Sequence, residues 1–260
     1  MKIKMFQVDA FTNELFSGNP AAVCLLNQWL SDELMLSIAS ENNLSETAFL
    51  NLSNEPIGIR WFSPVKEVDL CGHATLAASR VLFDHLNYQS SDEIIFESGR
   101  GHLSARVKNE MIFLDFPIDE PHVQKFSESE KLFGHEASAV FSGQDDYLFI
   151  FEEEKLISEI EPNFELISQL DKRGVIISAR SKDYDFVSRC FFPNYGINED
   201  PVTGSAHTLL APYWSSELNK LDLRAGQLSK RGGELHLTVN NDRVHIGGDT
   251  SVFFVGEITL

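Results

Sequence analysis

Cysteine is scarce in this sequence, and its few copies follow no paired spacing. The three cysteines of the 260-residue chain are Cys24, Cys71 and Cys190. An odd number in a chain of this length indicates reduced thiols and a cytoplasmic setting rather than a disulfide framework. There is no Cys-x-x-Cys, no His-Glu-x-x-His and no metal-ligand spacing among the histidines. We therefore expect no bound metal.

Positive charge is also scarce, with 21 Lys and Arg residues against 39 Asp and Glu and a formal net charge of −18. A strongly acidic surface repels nucleic acid phosphates and anionic membranes, so we expect neither as a partner. A small anionic substrate remains compatible, because a few local donors outweigh a distant field. No apolar run reaches the roughly 18 residues of a membrane span, and the N-terminus is too polar for a signal peptide.

Three common motifs of catalysis and nucleotide binding are missing as well. Ser205 has no Gly-x-Ser-x-Gly elbow around it, which argues against a hydrolase. Gly99-Arg100-Gly101 is not followed by Gly-Lys-Ser/Thr, and no dinucleotide fingerprint occurs elsewhere. We therefore predict no cofactor.

The sequence does contain an internal repeat. Its matched segments are 60–64 with 189–193, 71–74 with 203–206, and 101–107 with 233–239, followed by the turns 108–110 and 240–242. The first pair is 129 positions apart and the others 132. Four matches in one order predict two similar domains rather than a solenoid. We place these domains at 1–117 and 130–260, with a linker at 118–129 and a boundary that terminal strands can cross.

Each half has strands around one strongly apolar helix. In the first half the segment 72–86 is apolar on most faces, so it is predicted to be buried by a sheet that wraps around it. The segment 32–43 has the pattern of an amphipathic helix that lies outside. Matched glycines, Gly72 and Gly204, stand where the two buried helices are expected to begin. Helix starts expose N–H groups that bind anions, although each glycine alone could be only a turn residue.

Five segments together resemble the PhzF-like isomerase family of phenazine biosynthesis. They are 8–12 (VDAFT), 16–23 (FSGNPAAV), 45–49 (SETAF), 71–75 (CGHAT) and 199–207 (EDPVTGSAH). The resemblance covers nearly the whole chain. It implies the fold of diaminopimelate epimerase, an α+β fold of two pseudo-symmetric barrel-like domains. Each would be a mostly antiparallel sheet around a central helix, with the active site between them.

The resemblance also implies roles for particular residues. Glu46 would be the general acid/base, with a pKa raised towards neutrality by apolar surroundings. His73 would orient the substrate or relay a proton, and Asp200 would hold a substrate amine or hydroxyl, or His73. Asn19, Gly72, Gly204 and Ser205 would bind the substrate. From the residues alone, Glu46 also fits an exposed strand start, and His73 a structural histidine.

Racemases of this fold use two cysteines, one at the start of each central helix. Here Cys71 stands at the first position and Thr203 at the second, and a threonine hydroxyl is too weak an acid for that exchange. We therefore expect a cofactor-independent isomerase that moves a proton within a small carboxylate substrate, acting as a homodimer as the resemblance implies. A racemase or epimerase of small amino or hydroxy acids, and a non-catalytic binding module, are the alternatives.

Overall fold

The computed structural model describes residues 1–86, 88 and 93–260. The first half of the chain forms β1 (Lys2–Ala10), β2 (Asn19–Leu26), α1 (Asp32–Asn42), β3 (Glu46–Asn51), β4 (Ile57–Phe62), β5 (Glu67–Val68), α2 (Gly72–His85), β6 (Glu93–Ser98), β7 (Gly101–Lys108) and β8 (Met111–Pro117). The second half forms β9 (His122–Val123), α3 (Ser129–Phe133), β10 (Ala139–Ser142), β11 (Asp146–Phe151), α4 (Glu154–Glu159), α5 (Phe164–Ile167), β12 (Gly174–Arg180), β13 (Phe186–Phe192), β14 (Ile197–Asp200), α6 (His207–Leu218), β15 (Asp222–Gln227), β16 (Gly233–Asn240), β17 (Arg243–Gly248) and β18 (Thr250–Thr259). None of the helices in these described ranges has the length and apolar character that crossing a membrane requires.

The chain divides into two compact units. One contains Met1–Asp115 with Gly247–Leu260, and the other contains Phe116–Ile246. The last strand, β18, therefore groups with the first unit, where it pairs antiparallel with β1. The division at 1–117, 118–129 and 130–260 remains a prediction for the domain boundaries.

In the first unit a mostly antiparallel sheet packs on α2. Strand β1 is antiparallel to β2, β2 is parallel to β3, β3 is antiparallel to β4, β4 is parallel to β6, and β6 and β8 are antiparallel to β7. Helix α2 contacts β1, β2 and β3, and most of its residues are buried, as its apolar composition predicts. Helix α1 packs Met35 and Ile38 into a separate cluster with Cys24, Phe49 and Phe62. The two predicted helices are thus present, and α1 covers its own patch of the sheet.

The second unit repeats this pattern of pairing. Strand β10 is antiparallel to β11, β11 is parallel to β12, β12 is antiparallel to β13, β13 is parallel to β15, and β15 is antiparallel to β16. Helix α6 contacts β15 and β16, and a cluster rich in Phe surrounds Phe133, Phe149 and Phe151. The order of parallel and antiparallel pairs is the same in the two units, which confirms the predicted α+β fold of two similar halves.

Candidate active site

In the first unit, three functional side chains stand at the starts of three elements. Asn19 begins β2 and Glu46 begins β3, and because these strands are parallel, both lie at the same end of the sheet. His73 lies in the first turn of α2. Gly18, just before β2, has φ +65°, and a Cβ there would lie 2.2 Å from the Ala10 carbonyl oxygen. Only glycine fits this close turn, which leads the chain into Asn19.

His73 is the centre of this cluster. Its Nε2 lies 3.3 Å from Glu46 Oε2, and the two side chains are 6% and 14% exposed. On the other side of the ring, Asn19 Nδ2 lies 3.2 Å from Nδ1. An amide N–H that donates to Nδ1 leaves the imidazole proton on Nε2, the nitrogen that faces the carboxylate. The cluster therefore directs a single N–H towards Glu46.

Burial keeps this imidazole uncharged. A carboxylate at 3.3 Å favours the imidazolium, but removal of the ring from water disfavours it more strongly. The result is a His73 pKa lowered to about 3. At neutral pH His73 is thus a neutral donor beside Glu46, and the pair is not a permanent salt bridge.

Cys71 completes the cluster as the residue before α2. Its Sγ lies 3.5 Å from His73 Nδ1, and the residue is buried. Its carbonyl oxygen accepts from the Thr75 hydroxyl at 2.6 Å and from the Thr75 backbone N–H at 3.2 Å, which closes the first turn of the helix. The Cys71 thiol therefore lies against the imidazole. None of the three cysteines, Cys24, Cys71 and Cys190, forms a disulfide bond.

The second unit holds Asp200 in a network of its own. Thr203 Oγ1 donates to Asp200 Oδ2 at 2.5 Å. The Gln227 side chain accepts from Thr203 N at 2.8 Å and donates to the Asp200 carbonyl oxygen at 2.9 Å and to Thr203 Oγ1 at 3.1 Å. Gln227 is almost fully buried, and this network orients the Asp200 carboxylate through Thr203. Sequence reasoning missed Gln227, since no local pattern marks a glutamine 24 residues after the threonine that it binds.

Gly204 opens the second helix less directly than Gly72 opens α2. Gly204 begins a 3₁₀ turn, Gly204–Ala206, and α6 begins only at His207. The physical reason lies in the Thr203 carbonyl oxygen, which bonds the His207 ring Nδ1 at 2.8 Å. The His207 backbone N–H instead bonds carbonyl oxygens within the 3₁₀ turn. Gly72, in contrast, is the first residue of α2, as predicted.

Strand register shows what the second unit has in place of Glu46. Ala48 pairs with Trp61 in the first unit, and Ile176 pairs with Cys190 in the second. Because Trp61 and Cys190 follow the matched arginines of the repeat, Glu46 corresponds to Gly174. A Cβ at Gly174 would lie 2.1 Å from the Phe192 ring, so no side chain fits there. By the spacing of 132, His73 corresponds to Ser205 and Cys71 to Thr203. At these corresponding positions the second unit therefore has neither a carboxylate in place of Glu46 nor an imidazole in place of His73.

Arg173 immediately precedes Gly174 in the sequence. Its guanidinium forms an ion pair with buried Asp146, in which Nε is 3.0 Å from Oδ1, and its NH2 group donates to Ser205 Oγ at 3.2 Å. The Arg173 pKa is raised because its hydrogen bond and ion pair with Asp146 outweigh burial. Since the Ser205 oxygen accepts from Arg173, the Ser205 hydroxyl proton is directed elsewhere. Only a pairing across 27 residues reveals Arg173, so the sequence alone gave no signal for it.

Metal-binding chemistry is also present in the first unit, although the sequence shows no ligand spacing. Glu46, Cys71 and His73 each offer one ligand atom, and these atoms all lie within 4.8 Å of one another. The fold brings the three together because β3 and the start of α2 meet, while residues 46 and 71 are far apart in sequence.

Together, the fold and the Glu46–His73 contact describe a duplicated α+β protein with a buried carboxylate–imidazole pair. A family model described as "Phenazine biosynthesis-like protein" matches residues 8–256. A curated protein of Halalkalibacterium halodurans, called an uncharacterized isomerase, is 44% identical over 264 residues and matches over 100% of both chains. The chain belongs to the phenazine biosynthesis-like protein family, which confirms the resemblance and the enzymatic role.

Solved structures show the same relationship. A phenazine biosynthesis protein of the PhzF family from Enterococcus faecalis has a TM-score of 0.96 at 44% identity, with 100% of each chain covered. A probable proline racemase from Agrobacterium radiobacter, solved with bound carbonate, has a TM-score of 0.65 at 9% identity, with 99% of this chain and 93% of that chain covered. The second likeness is one of fold alone.

Proposed function

We propose that this protein moves a proton within a small carboxylate substrate, with Glu46 as the general acid/base. The observation that carries the proposal is the contact of 3.3 Å between Glu46 Oε2 and His73 Nε2 inside a largely buried cluster. A carboxyl group held away from water, beside a neutral donor, is suited to taking a proton from carbon and returning it.

The reaction needs only one proton carrier. Glu46 as carboxylate takes a proton from one substrate carbon, and the neutral carboxylic acid then gives that proton to another carbon. The His73 Nε2–H, on a ring held by Asn19, faces the Glu46 carboxylate at 3.3 Å and favours its charged form. A group in this role typically contributes a factor of about 10²–10⁴ in rate.

The second unit supplies binding groups in this proposal. Asp200 holds a substrate amine or hydroxyl, since Thr203 and Gln227 fix it as an acceptor. Backbone N–H groups of Gly72 and Gly204 and the Ser205 hydroxyl bind the substrate carboxylate. The homodimer and the cytoplasmic location remain predictions.

Racemisation by two thiols is less well supported than transfer by one carboxylate. Thr203 replaces the second thiol, and its hydroxyl donates to Asp200 at 2.5 Å, so it is not available as a base. A non-catalytic binding module is not favoured either, because the close relative is named an isomerase and mere binding requires no sequestered carboxylate.

The test compares Glu46→Gln with Glu234→Gln. Glu234 forms the matched control, because it also faces a histidine, His236, at 3.0 Å but lies outside the site. Ligands are first found by thermal shift among cyclic and unsaturated carboxylates and amino acids, including proline. Each hit is then incubated in heavy water and followed by NMR for isomerisation and deuterium uptake.

We expect wild-type protein and Glu234→Gln to turn over the substrate with deuterium uptake. Glu46→Gln should still bind it but lose about 10²–10⁴-fold in rate. Turnover without isotope uptake, together with full activity in Glu46→Gln, would show that another group moves the proton or that no proton moves.

A further inference from the structure

The cluster at the start of α2 contains three different kinds of metal ligand. Glu46 offers a carboxylate oxygen, Cys71 a sulfur and His73 a ring nitrogen, and one atom from each lies within 4.8 Å of the other two. Around a tetrahedral Zn²⁺, ligand atoms are separated by roughly 3.5 Å, given bond lengths of about 2.0–2.3 Å. The Glu46–His73 separation of 3.3 Å already matches that value.

A second observation independently points to a ligand. His73 Nε2 is a buried polar atom that makes no hydrogen bond within the described residues, although its side chain is only 6% exposed. Buried polar atoms normally have a partner, so such an atom requires an explanation. Its contact with Glu46 is close enough for an ion pair but lacks hydrogen-bond geometry, and the nitrogen is directed into the cluster.

We infer that Glu46, Cys71 and His73 form a binding site for a thiophilic divalent cation such as Zn²⁺. Sulfur and imidazole select zinc-like metals over Mg²⁺ and Ca²⁺, which prefer oxygen ligands. Three protein ligands leave a fourth position open, as in zinc sites that bind water or an added ligand. The Cys71 thiol gives up its proton to solvent when the sulfur–metal bond forms.

Asn19 contacts Nδ1, the nitrogen on the opposite side of the His73 ring. A metal bound to His73 Nε2 requires the ring proton to be on Nδ1. A hydrogen-bond acceptor usually holds the proton there. The Asn19 amide lies 3.2 Å from Nδ1, and turning it over presents its oxygen to an Nδ1–H. The Asn19 amide therefore has a hydrogen-bonding group for Nδ1 in both tautomers, whether the ring proton is on Nε2 or on Nδ1.

Metal binding has a consequence that rests on the proposed function. The oxygen of Glu46 that ligates the metal no longer accepts a proton from carbon, so occupancy switches off proton transfer reversibly. Zinc would then act on this protein as an inhibitor at the acid–base cluster, relieved by a chelator.

Binding is tested without a substrate, by titrating the full chain with Zn²⁺ in competition with a chromogenic chelator. Wild-type protein should take up one Zn²⁺ per chain tightly, with release of a proton. Co²⁺ in its place should give a near-ultraviolet sulfur-to-cobalt charge-transfer band. Cys71→Ser should lose the band and the tight site, and Asn19→Leu should weaken Zn²⁺ binding by about 10–100-fold. Cys71→Ala replaces Cys71→Ser if the serine variant unfolds at a lower temperature than wild type.

The control variant is His236→Gln. His236 also faces a glutamate, at 3.0 Å, but this pair belongs to no three-ligand group among the described residues, so tight binding should be unchanged. Equal Zn²⁺ affinity in wild type and Cys71→Ser, or cobalt binding without a thiolate band, would overturn the inference. If Zn²⁺ binds as expected but Glu46→Gln isomerises substrate normally, the metal site stands and the proposed function fails.

Discussion

The buried histidine of the second unit makes acid stability a direct test of the structure. His207 has no exposed surface, stacks on Phe186 with ring centroids 6.0 Å apart, and bonds the Thr203 carbonyl oxygen through Nδ1 at 2.8 Å. Burial lowers its pKa from 6.5 to about 4, although the hydrogen bond to Thr203 acts in the opposite direction. The folded protein thus resists protonation of a group that the unfolded chain protonates readily.

The sign and size of the effect follow from linkage. A folded pKa below the unfolded value gives stability that is fully present above pH 6.5 and is lost as pH falls towards the folded pKa of about 4. Between pH 7 and pH 5 the unfolded imidazole takes up most of one proton, whereas the folded one takes up about a tenth. Integration gives a loss of about 1.8 kcal/mol over that window, or about 1.2 kcal/mol per pH unit near pH 5.5. His73, with a pKa of about 3, adds a second loss of the same sign.

The variant that tests this is His207→Asn, because the asparagine amide can replace Nδ1–H as donor to Thr203. Urea unfolding at pH 7, 6 and 5 gives the free energy of unfolding at each pH. The smaller side chain lowers stability at every pH, so the slope, and not the offset, is the measured quantity. We expect the loss between pH 7 and pH 5 to be smaller by about 1.8 kcal/mol in His207→Asn than in wild type. Leu235→Ala, which removes buried apolar atoms and no titratable group, is the control: it should lower stability at every pH and keep the wild-type slope. An unchanged slope in His207→Asn would refute the reasoning.

Two further substitutions test the parts of the second unit that sequence reasoning did not foresee. Gln227→Leu removes three side-chain hydrogen bonds and leaves the buried Thr203 N–H without its acceptor, so urea unfolding should show a loss of about 2–4 kcal/mol; wild-type stability would contradict the network. Gly174→Ala places a Cβ 2.1 Å from the Phe192 ring and should lower the free energy of unfolding by about 1–3 kcal/mol. Gly99→Ala is its control, since a Cβ there meets no described atom within 4 Å and should change stability by less than about 0.5 kcal/mol; equal effects of the two alanines would be inconsistent with this account.

The duplication could be predicted because short segments of the two halves still have similar sequences. Arg60 and Arg189 were matched by sequence alone, and each forms a two-bond ion pair with a glutamate at a corresponding place. Arg60 binds Glu67 at 2.6 Å through both bonds, and Arg189 binds Glu199 at 2.6 and 3.0 Å. Each ion pair is formed within a single strand–turn–strand segment. The repeat can therefore be recognised from the sequence without knowledge of tertiary contacts.

The candidate site was less accessible to sequence reasoning. That Glu46 begins a strand and Gly72 a helix follows from local patterns, but their closeness to His73 was implied only by the resemblance. The 3₁₀ turn at Gly204 depends on which donor bonds the Thr203 carbonyl oxygen, a competition that residue types do not decide. Gln227 bonds groups 24 and 27 residues away, and side-chain hydrogen bonds at that separation leave no periodicity to read.

Divergence between the two halves bears on the stereochemistry of the proposed reaction. Racemases of two bases remove a proton from one face of a carbon and add one to the other, which requires an acid–base group in each half. In this chain the first half has Glu46, while the second has Gly174, where the Phe192 ring leaves no room for a side chain. If Glu46 is the single proton carrier, it can only return the proton on the face from which it took it. Because no side chain fits at Gly174, the proposed reaction is movement of a proton between two carbons on one face of the substrate. Inversion at a single carbon is not favoured.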